Sequence, residues 1–191
     1  MKTITFFGDS ITAGYGLSDP RNQSFPSLLK RRLEAAGYDY NIINEGVSGD
    51  TSSTGLLRVD RVLTKRTDVF VIELGANDFI RGLVAETTSK NLQQIINKVK
   101  QKLPEAEILL LGLALPQWVQ GERVLAFRNL FTDLAKKNNI AIVPDLLEGV
   151  LGMQQFNIYD GVHPNEQGYK IIAGNVWPVL TSLVNKLPVK A

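Results

Sequence analysis

The sequence predicts an open, three-layer α/β/α fold around a five-stranded parallel sheet in the order 2-1-3-4-5, and three observations lead there. Short β-branched or apolar runs alternate with amphipathic stretches in the pattern βαβαβαβαβ, the reading of a doubly wound sheet. The run Val69-Phe70-Val71-Ile72 is apolar at every position, as a central parallel strand covered on both faces requires. Three loops after successive strands, around Ser10, Gly49 and Asn77, carry small or polar residues, and right-handed crossovers bring such loops to one sheet edge.

Composition bounds the function before any motif is read. A chain of 191 residues suits one well-cored domain and is short for two, so residues 1–191 are expected to form a single domain. Hydrophobic residues at 44% and charged residues at 21% allow a core to form without disulfide or metal staples. A formal net charge of +2 gives no excess that would demand a nucleic acid or an anionic membrane, and no nucleic-acid partner is expected. Cysteine is absent, which excludes disulfides and thiolate metal sites. No run of about 18 apolar residues exists, so no stable membrane insertion is expected. Met1-Lys2-Thr3 enters strand-like sequence at once and leaves no room for a secretory signal. The expectation is a cytoplasmic protein, or a periplasmic or secreted one if a leader has been trimmed.

The first strand is Thr3-Ile4-Thr5-Phe6-Phe7, ended by Gly8, so Gly8-Asp9-Ser10-Ile11-Thr12-Ala13-Gly14 lies on the turn leaving the strand's carboxyl end. Asp and Ser there are ordinary capping residues, but that edge is also where open sheets bind ligands. Ser24-Phe25-Pro26-Ser27 opens a helix with Leu28, Leu29, Leu33 and Ala36 on its apolar face, stopped at Gly37. A second strand at about residues 40–44 leads into Glu45-Gly46-Val47-Ser48-Gly49-Asp50-Thr51-Ser52, a small-residue loop. It ends in a Thr or Ser cap for a helix bearing Leu56, Leu57, Val59 and Leu63, and it offers the Gly49 N–H to an anion.

The third strand ends in Glu73-Leu74-Gly75-Ala76-Asn77-Asp78. A crossover helix at about residues 87–103 buries Leu92, Ile95, Ile96, Val99 and Leu103. A fourth strand at about 108–113 precedes the unusually apolar loop Ala114-Leu115-Pro116-Gln117-Trp118-Val119, followed by a helix at about 122–138 and a short strand at about 140–143. Residues 145–165 are the most irregular tract and hold Asp160-Gly161-Val162-His163-Pro164-Asn165, with Pro164 read as the start of the last helix and Pro178 as a kink or end of its first half.

A serine hydroxyl needs a base to remove its proton, and an imidazole oriented by a carboxylate is the usual one. His163 is the only histidine, and Asp160, three residues earlier, can reach its Nδ1 and leave Nε2 facing Ser10. With these residues in view, the chain resembles the SGNH or GDSL hydrolases over essentially its whole length. Gly8-Asp9-Ser10-Ile11, Gly46-Val47-Ser48-Gly49, Gly75-Ala76-Asn77-Asp78 and Asp160-Gly161-Val162-His163 match the family's four blocks in order. The thioesterase I, lysophospholipase L1 and arylesterase branch is the most similar, through Ser48-Gly49-Asp50-Thr51-Ser52, Leu74-Gly75-Ala76-Asn77-Asp78 and Arg81-Gly82. Ala76 and Phe79 depart from that branch, which carries glycine at both positions.

The resemblance implies a flavodoxin-like sheet and acyl-ester chemistry with no cofactor and no metal. Ser10, Asp160 and His163 would be catalytic, and the N–H groups of Ser10 and Gly49 with the Asn77 amide would form an oxyanion hole. Phe79, Ile80, Leu115, Trp118 and Phe156 form a candidate substrate wall, with Leu83, Val119 and Met153 nearby in sequence. Several of these are equally suited to the core. The expected partner is a small acyl ester or thioester, lysophospholipids included. Competing readings are a carbohydrate esterase of the same superfamily, a flavodoxin-like binding module and a metal hydrolase. An acid at Asp9 disfavours the second, and one histidine without cysteine disfavours the third.

Overall fold

The computed structural model describes residues 1–115 and 121–187. Strands β1 (Lys2–Gly8), β2 (Tyr40–Gly46), β3 (Val69–Glu73), β4 (Glu107–Leu111) and β5 (Ala141–Val143) pair in parallel in the order β2-β1-β3-β4-β5. Helices α1 (Ser10–Ala13), α2 (Pro20–Gln23), α3 (Phe25–Ala35), α4 (Ser52–Val62), α5 (Ala76–Ile80), α6 (Ala85–Lys102), α7 (Glu122–Asn138) and α8 (Glu166–Lys186) connect and cover them.

Strand periodicity divides the interior in two. Successive side chains of a strand point to opposite faces, so Ile4 and Phe6 of β1, Val69 and Val71 of β3, and Leu109 and Leu111 of β4 join Phe25, Leu29 and Leu33 of α3 and Ile172, Val176 and Leu180 of α8. Phe7, Phe70, Ile72, Ile108 and Leu110 face the other way, against Val59 and Val62 of α4, Leu92, Ile95 and Ile96 of α6, and Phe127 and Phe131 of α7. Each such side chain is worth about 1.5–3 kcal/mol on full burial, which selects this register over a one-residue slip that would swap the two faces.

Several boundaries differ from the sequence expectation for local reasons. Strand β2 continues to Gly46 because its ladder with β1 persists to the Gly8–Gly46 pair. Strand β4 stops at Leu111, where its ladder with β5 ends at the Leu111–Val143 pair. Pro164 does not begin the last helix: it forms a bridge with Asn157, and Asn165 caps α8 by accepting from the N–H groups of Gln167 and Gly168 at 3.0 and 3.1 Å. Nor does Pro178 end the helix, which runs through it to Lys186, with Thr181 Oγ1 donating to the carbonyls of Trp177 and Pro178. Among the described residues no helix is long and apolar enough to cross a membrane.

The pairs Gly8–Gly46 and Gly8–Glu73 align the ends of three neighbouring strands. The loops carrying Ser10, Gly49 and Asn77 therefore leave the sheet side by side.

Candidate active site

Strand β1 stops where a side chain cannot fit. A Cβ at Gly8 would lie 2.2 Å from Thr12 Oγ1 and 2.6 Å from Glu73 Oε2. Asp9 then caps the single turn of α1, its Oδ1 accepting from Ile11 N–H at 3.0 Å, and Gly14 at φ 83° closes that turn. Ser10, the first helical residue, is 6% exposed. Its N–H, like that of Gly49, has no intramolecular acceptor among the described residues.

The other half of the site arrives on the connection from β5 to α8. Asn157 anchors the base of this loop, its Nδ2 donating to the carbonyls of Val150 and Met153, and Ile158 N–H reaches the His163 carbonyl at 2.8 Å. At its tip Asp160 Oδ1 accepts from the N–H groups of Val162 and His163, both at 2.9 Å, while Oδ2 lies 2.6 Å from His163 Nδ1. That bond makes Nδ1 the protonated nitrogen and leaves Nε2, 3.0 Å from Ser10 Oγ, as the acceptor. Burial pushes the Asp160 carboxyl up, but hydrogen bonds from the His163 backbone and imidazole and from Val162 outweigh it and hold it at about 2. Asp160 is thus an anion at neutral pH.

The sequence reading had no place for Tyr15, whose ring lies 4.6 Å from the His163 ring, centroid to centroid. Its backbone is held on both sides, its N–H donating to the Ser10 carbonyl and its carbonyl accepting from Tyr169 O–H.

Asn77 sits where expected, at the start of α5, but its amide is already engaged. Nδ2 donates to Asp9 Oδ2 at 3.0 Å and to the Asp50 carbonyl at 2.9 Å. These bonds tie the three motif loops to one another. Arg81 adds another tie by donating to the Gly49 carbonyl at 2.8 Å. Asp78, wholly buried, accepts from the Ser52 N–H and hydroxyl and from Thr88, so this motif residue is a brace between loops. Asp50 pairs with Arg58, whose Nη2 also reaches the carbonyls of Gly8 and Glu45 and whose guanidinium stacks on Phe7.

Beneath Ser10 lie two carboxyl groups: Asp9, expected only as a capping acid, and Glu73, to which the sequence assigned no role. Burial raises Asp9 to about 6 and, with the neighbouring Asp9 charge, lifts Glu73 well above the usual carboxylate range. The signal for Glu73 was present in the sequence: it is the one charged residue in the fully buried strand Val-Phe-Val-Ile-Glu.

The candidate wall residues divide. Ile80 is 62% exposed at the end of α5. Phe79 is half-buried, edge-on to Phe127 at 5.3 Å and covered by the Arg123 guanidinium at 4.5 Å. Phe156 packs partly against the α3/α8 core. Leu115 is buried among the described residues, in the core that α6 and α7 cover, where its apolar side chain is removed from water. Trp118 lies outside the described residues, as does Val119.

Comparison with known proteins agrees with this arrangement. The chain is 37% identical to the esterase TesA of Pseudomonas aeruginosa over 184 residues, 96% of this chain and 90% of that protein. It is 33% identical to thioesterase 1/protease 1/lysophospholipase L1 of Escherichia coli strain K12, again over 96% of this chain and 85% of the relative. A crystal structure of TesA superposes with a TM-score of 0.88, covering 95% of this chain and 99% of that one at 37% identity. Since residues 6–171 match the family model that spans all four motif loops, the chain belongs to the GDSL-like lipase/acylhydrolase family of ester hydrolases.

Proposed function

We propose that this protein hydrolyses carboxylic esters and thioesters of short to medium acyl chains through an acyl-enzyme on Ser10. The observation that carries the proposal is the continuous line from Asp160 Oδ2 through the imidazole to Ser10 Oγ, with spans of 2.6 and 3.0 Å. Ser10 Oγ attacks the substrate carbonyl as His163 Nε2 takes its proton, and Asp160 stabilises the imidazolium that forms. The Ser10 and Gly49 N–H groups receive the oxyanion, joined by Asn77 Nδ2 once one of its N–H groups turns from its acceptor, the Asp9 carboxylate or the Asp50 carbonyl, toward the substrate oxygen. The imidazolium then protonates the leaving alcohol or thiol, and water repeats the sequence to release the acid.

The acyl preference is supported by the apolar Ile80 and the half-buried Phe79 beside Asn77, and by relatives named as an esterase and a thioesterase. Lysophospholipids fall within the same class, on the strength of the Escherichia coli relative's name. The test is a panel of p-nitrophenyl esters from acetyl to palmitoyl, with acyl-CoA, a lysophospholipid and a peracetylated sugar. The expected kcat/KM peaks among the short and medium chains. A peak at palmitoyl, or a preference for the acetylated sugar over every simple ester, would overturn the substrate assignment.

A further inference from the structure

Asp9 and Glu73 are 1% and 5% exposed, lie side by side under the nucleophile turn and have no part in the proton transfers above. Arg58, on the adjacent α4, is occupied by Asp50 and by the carbonyls of Gly8 and Glu45. The ionisable groups that bear on the pair are the two acids themselves, Tyr169, whose phenol is pushed up first by burial, and His163, which acts on Asp9 alone.

The pattern of donors sorts the two acids. Glu73 Oε2 accepts from Asp9 N–H at 3.1 Å, Thr12 N–H at 3.3 Å and Thr12 Oγ1 at 2.8 Å. The Asp9 N–H bond to Glu73 Oε2 brings the two carboxyl groups together in one enclosed site, which they can share only if one of them carries a proton. Asp9 accepts from Ile11 N–H on one oxygen and from Asn77 Nδ2 on the other. Two carboxylates in contact inside a protein cannot both ionise, and the wholly enclosed Glu73 is the costlier one to charge.

We propose that Glu73 is the un-ionised member of this pair and a positioning residue of the esterase: its O–H holds the Asp9 carboxylate, which aims the Asn77 amide and fixes the turn carrying Ser10. The inference rests on the esterase reading for its effect on rate but not for the protonation of Glu73. It explains why a carboxyl group ends the most buried strand of the sheet. A neutral Glu73 keeps four bonds around the nucleophile turn and adds no second negative charge below the place where the oxyanion forms.

Two substitutions and an infrared measurement test it. Glu73→Gln supplies a carbonyl oxygen to the three donors and an N–H to Asp9, so kcat is expected within about threefold of wild type, the scale of one hydrogen bond's net worth, with KM unchanged. Glu73→Leu removes all of these bonds at similar volume and is expected to lower kcat about 10²-fold, as loss of an oxyanion donor does, with little change in KM. The carbonyl stretch of an un-ionised carboxylic acid is expected in wild type at pH 8 and absent from Glu73→Gln. The proposal is overturned if that stretch is missing from wild type or survives in Glu73→Gln, if Gln costs as much as Leu, or if a folded Leu variant keeps full kcat. Should Leu prevent folding, the Gln kinetics and the infrared difference decide alone. A wild type that shows the stretch but hydrolyses no ester would sink the esterase reading and leave the assignment of Glu73 intact.

Discussion

Ser10 is 6% exposed and stands on carboxyl groups enclosed by the ends of β1 and β3, whereas the side chains of His163 and Asp160 are 24% and 29% exposed on a loop outside the sheet. Ser10 is placed by packing. Its turn is a continuation of the most buried strands, and Glu73 and Asn77 bind it from two separate elements. His163 is placed by hydrogen bonds within eight residues, from the Asn157–Pro164 bridge to the two N–H groups that Asp160 gathers. A buried half resists displacement but is hard to alter, and an exposed half can be altered without disturbing the core. Mutations on the two sides should therefore differ in their effect on stability even where their effects on rate coincide.

The largest effect expected is on turnover. Ser10→Ala and His163→Ala should each lower kcat by about 10⁶-fold, and the double variant should be scarcely slower than either, because such groups act as a unit. The comparison is sharpened if thermal unfolding shows Tm shifting more in Ser10→Ala than in His163→Ala, and it breaks if the exposed side proves the more sensitive. Asn77→Ala should cost less, about 10²- to 10³-fold in kcat, since it removes one oxyanion donor and leaves nucleophile and base in place. It also cuts the ties to Asp9 and Asp50, so its Tm should fall where that of Asp160→Asn does not. Equal Tm losses in the two variants would contradict the contrast.

The smallest effect concerns pH and stability. Asp9 has its folded value raised to about 6 from an ordinary 3.8, so the folded state binds more protons than the unfolded chain between those values. This contribution to stability is fully present below 3.8 and is lost as pH rises through about 6. Tm measured across that window should decline less steeply in Asp9→Asn than in wild type, whatever the offset between the two curves. An unchanged slope would show that Asp9 does not titrate there.

Most of this architecture was legible because it is written locally. Apolar Val69–Ile72 announced a central strand, a Thr or Ser at the end of the 45–52 loop announced the cap of α4, which is Thr51, and Asp160 and His163, three residues apart, meet within one turn of chain. The Ser10–His163 meeting spans 153 positions and became legible only through four motif blocks that the topology had to bring together. What was missed depends on contacts across elements. Nothing near Arg58 in the chain points to the carbonyls of Gly8 and Glu45, and Tyr15 faces His163 only once α8 has packed behind it. Leu115 was left between two readings, because an apolar residue after a strand fits a groove wall and a core equally well until the neighbouring helices are known. Glu73 was overlooked for the opposite reason: its strand looked so thoroughly apolar that its last residue was read as loop.

The central claim, that Ser10 is the nucleophile activated by His163, is tested most directly by stoichiometric labelling with a p-nitrophenyl alkylphosphonate, read by intact and peptide mass spectrometry. Wild type should take up one phosphonyl group per chain, confined to the peptide containing Ser10, with esterase activity lost in step. Labelling of Ser10 in His163→Ala should be slower by orders of magnitude. A label at any other residue that abolishes activity, or full labelling of Ser10 with esterase activity retained, would contradict the account.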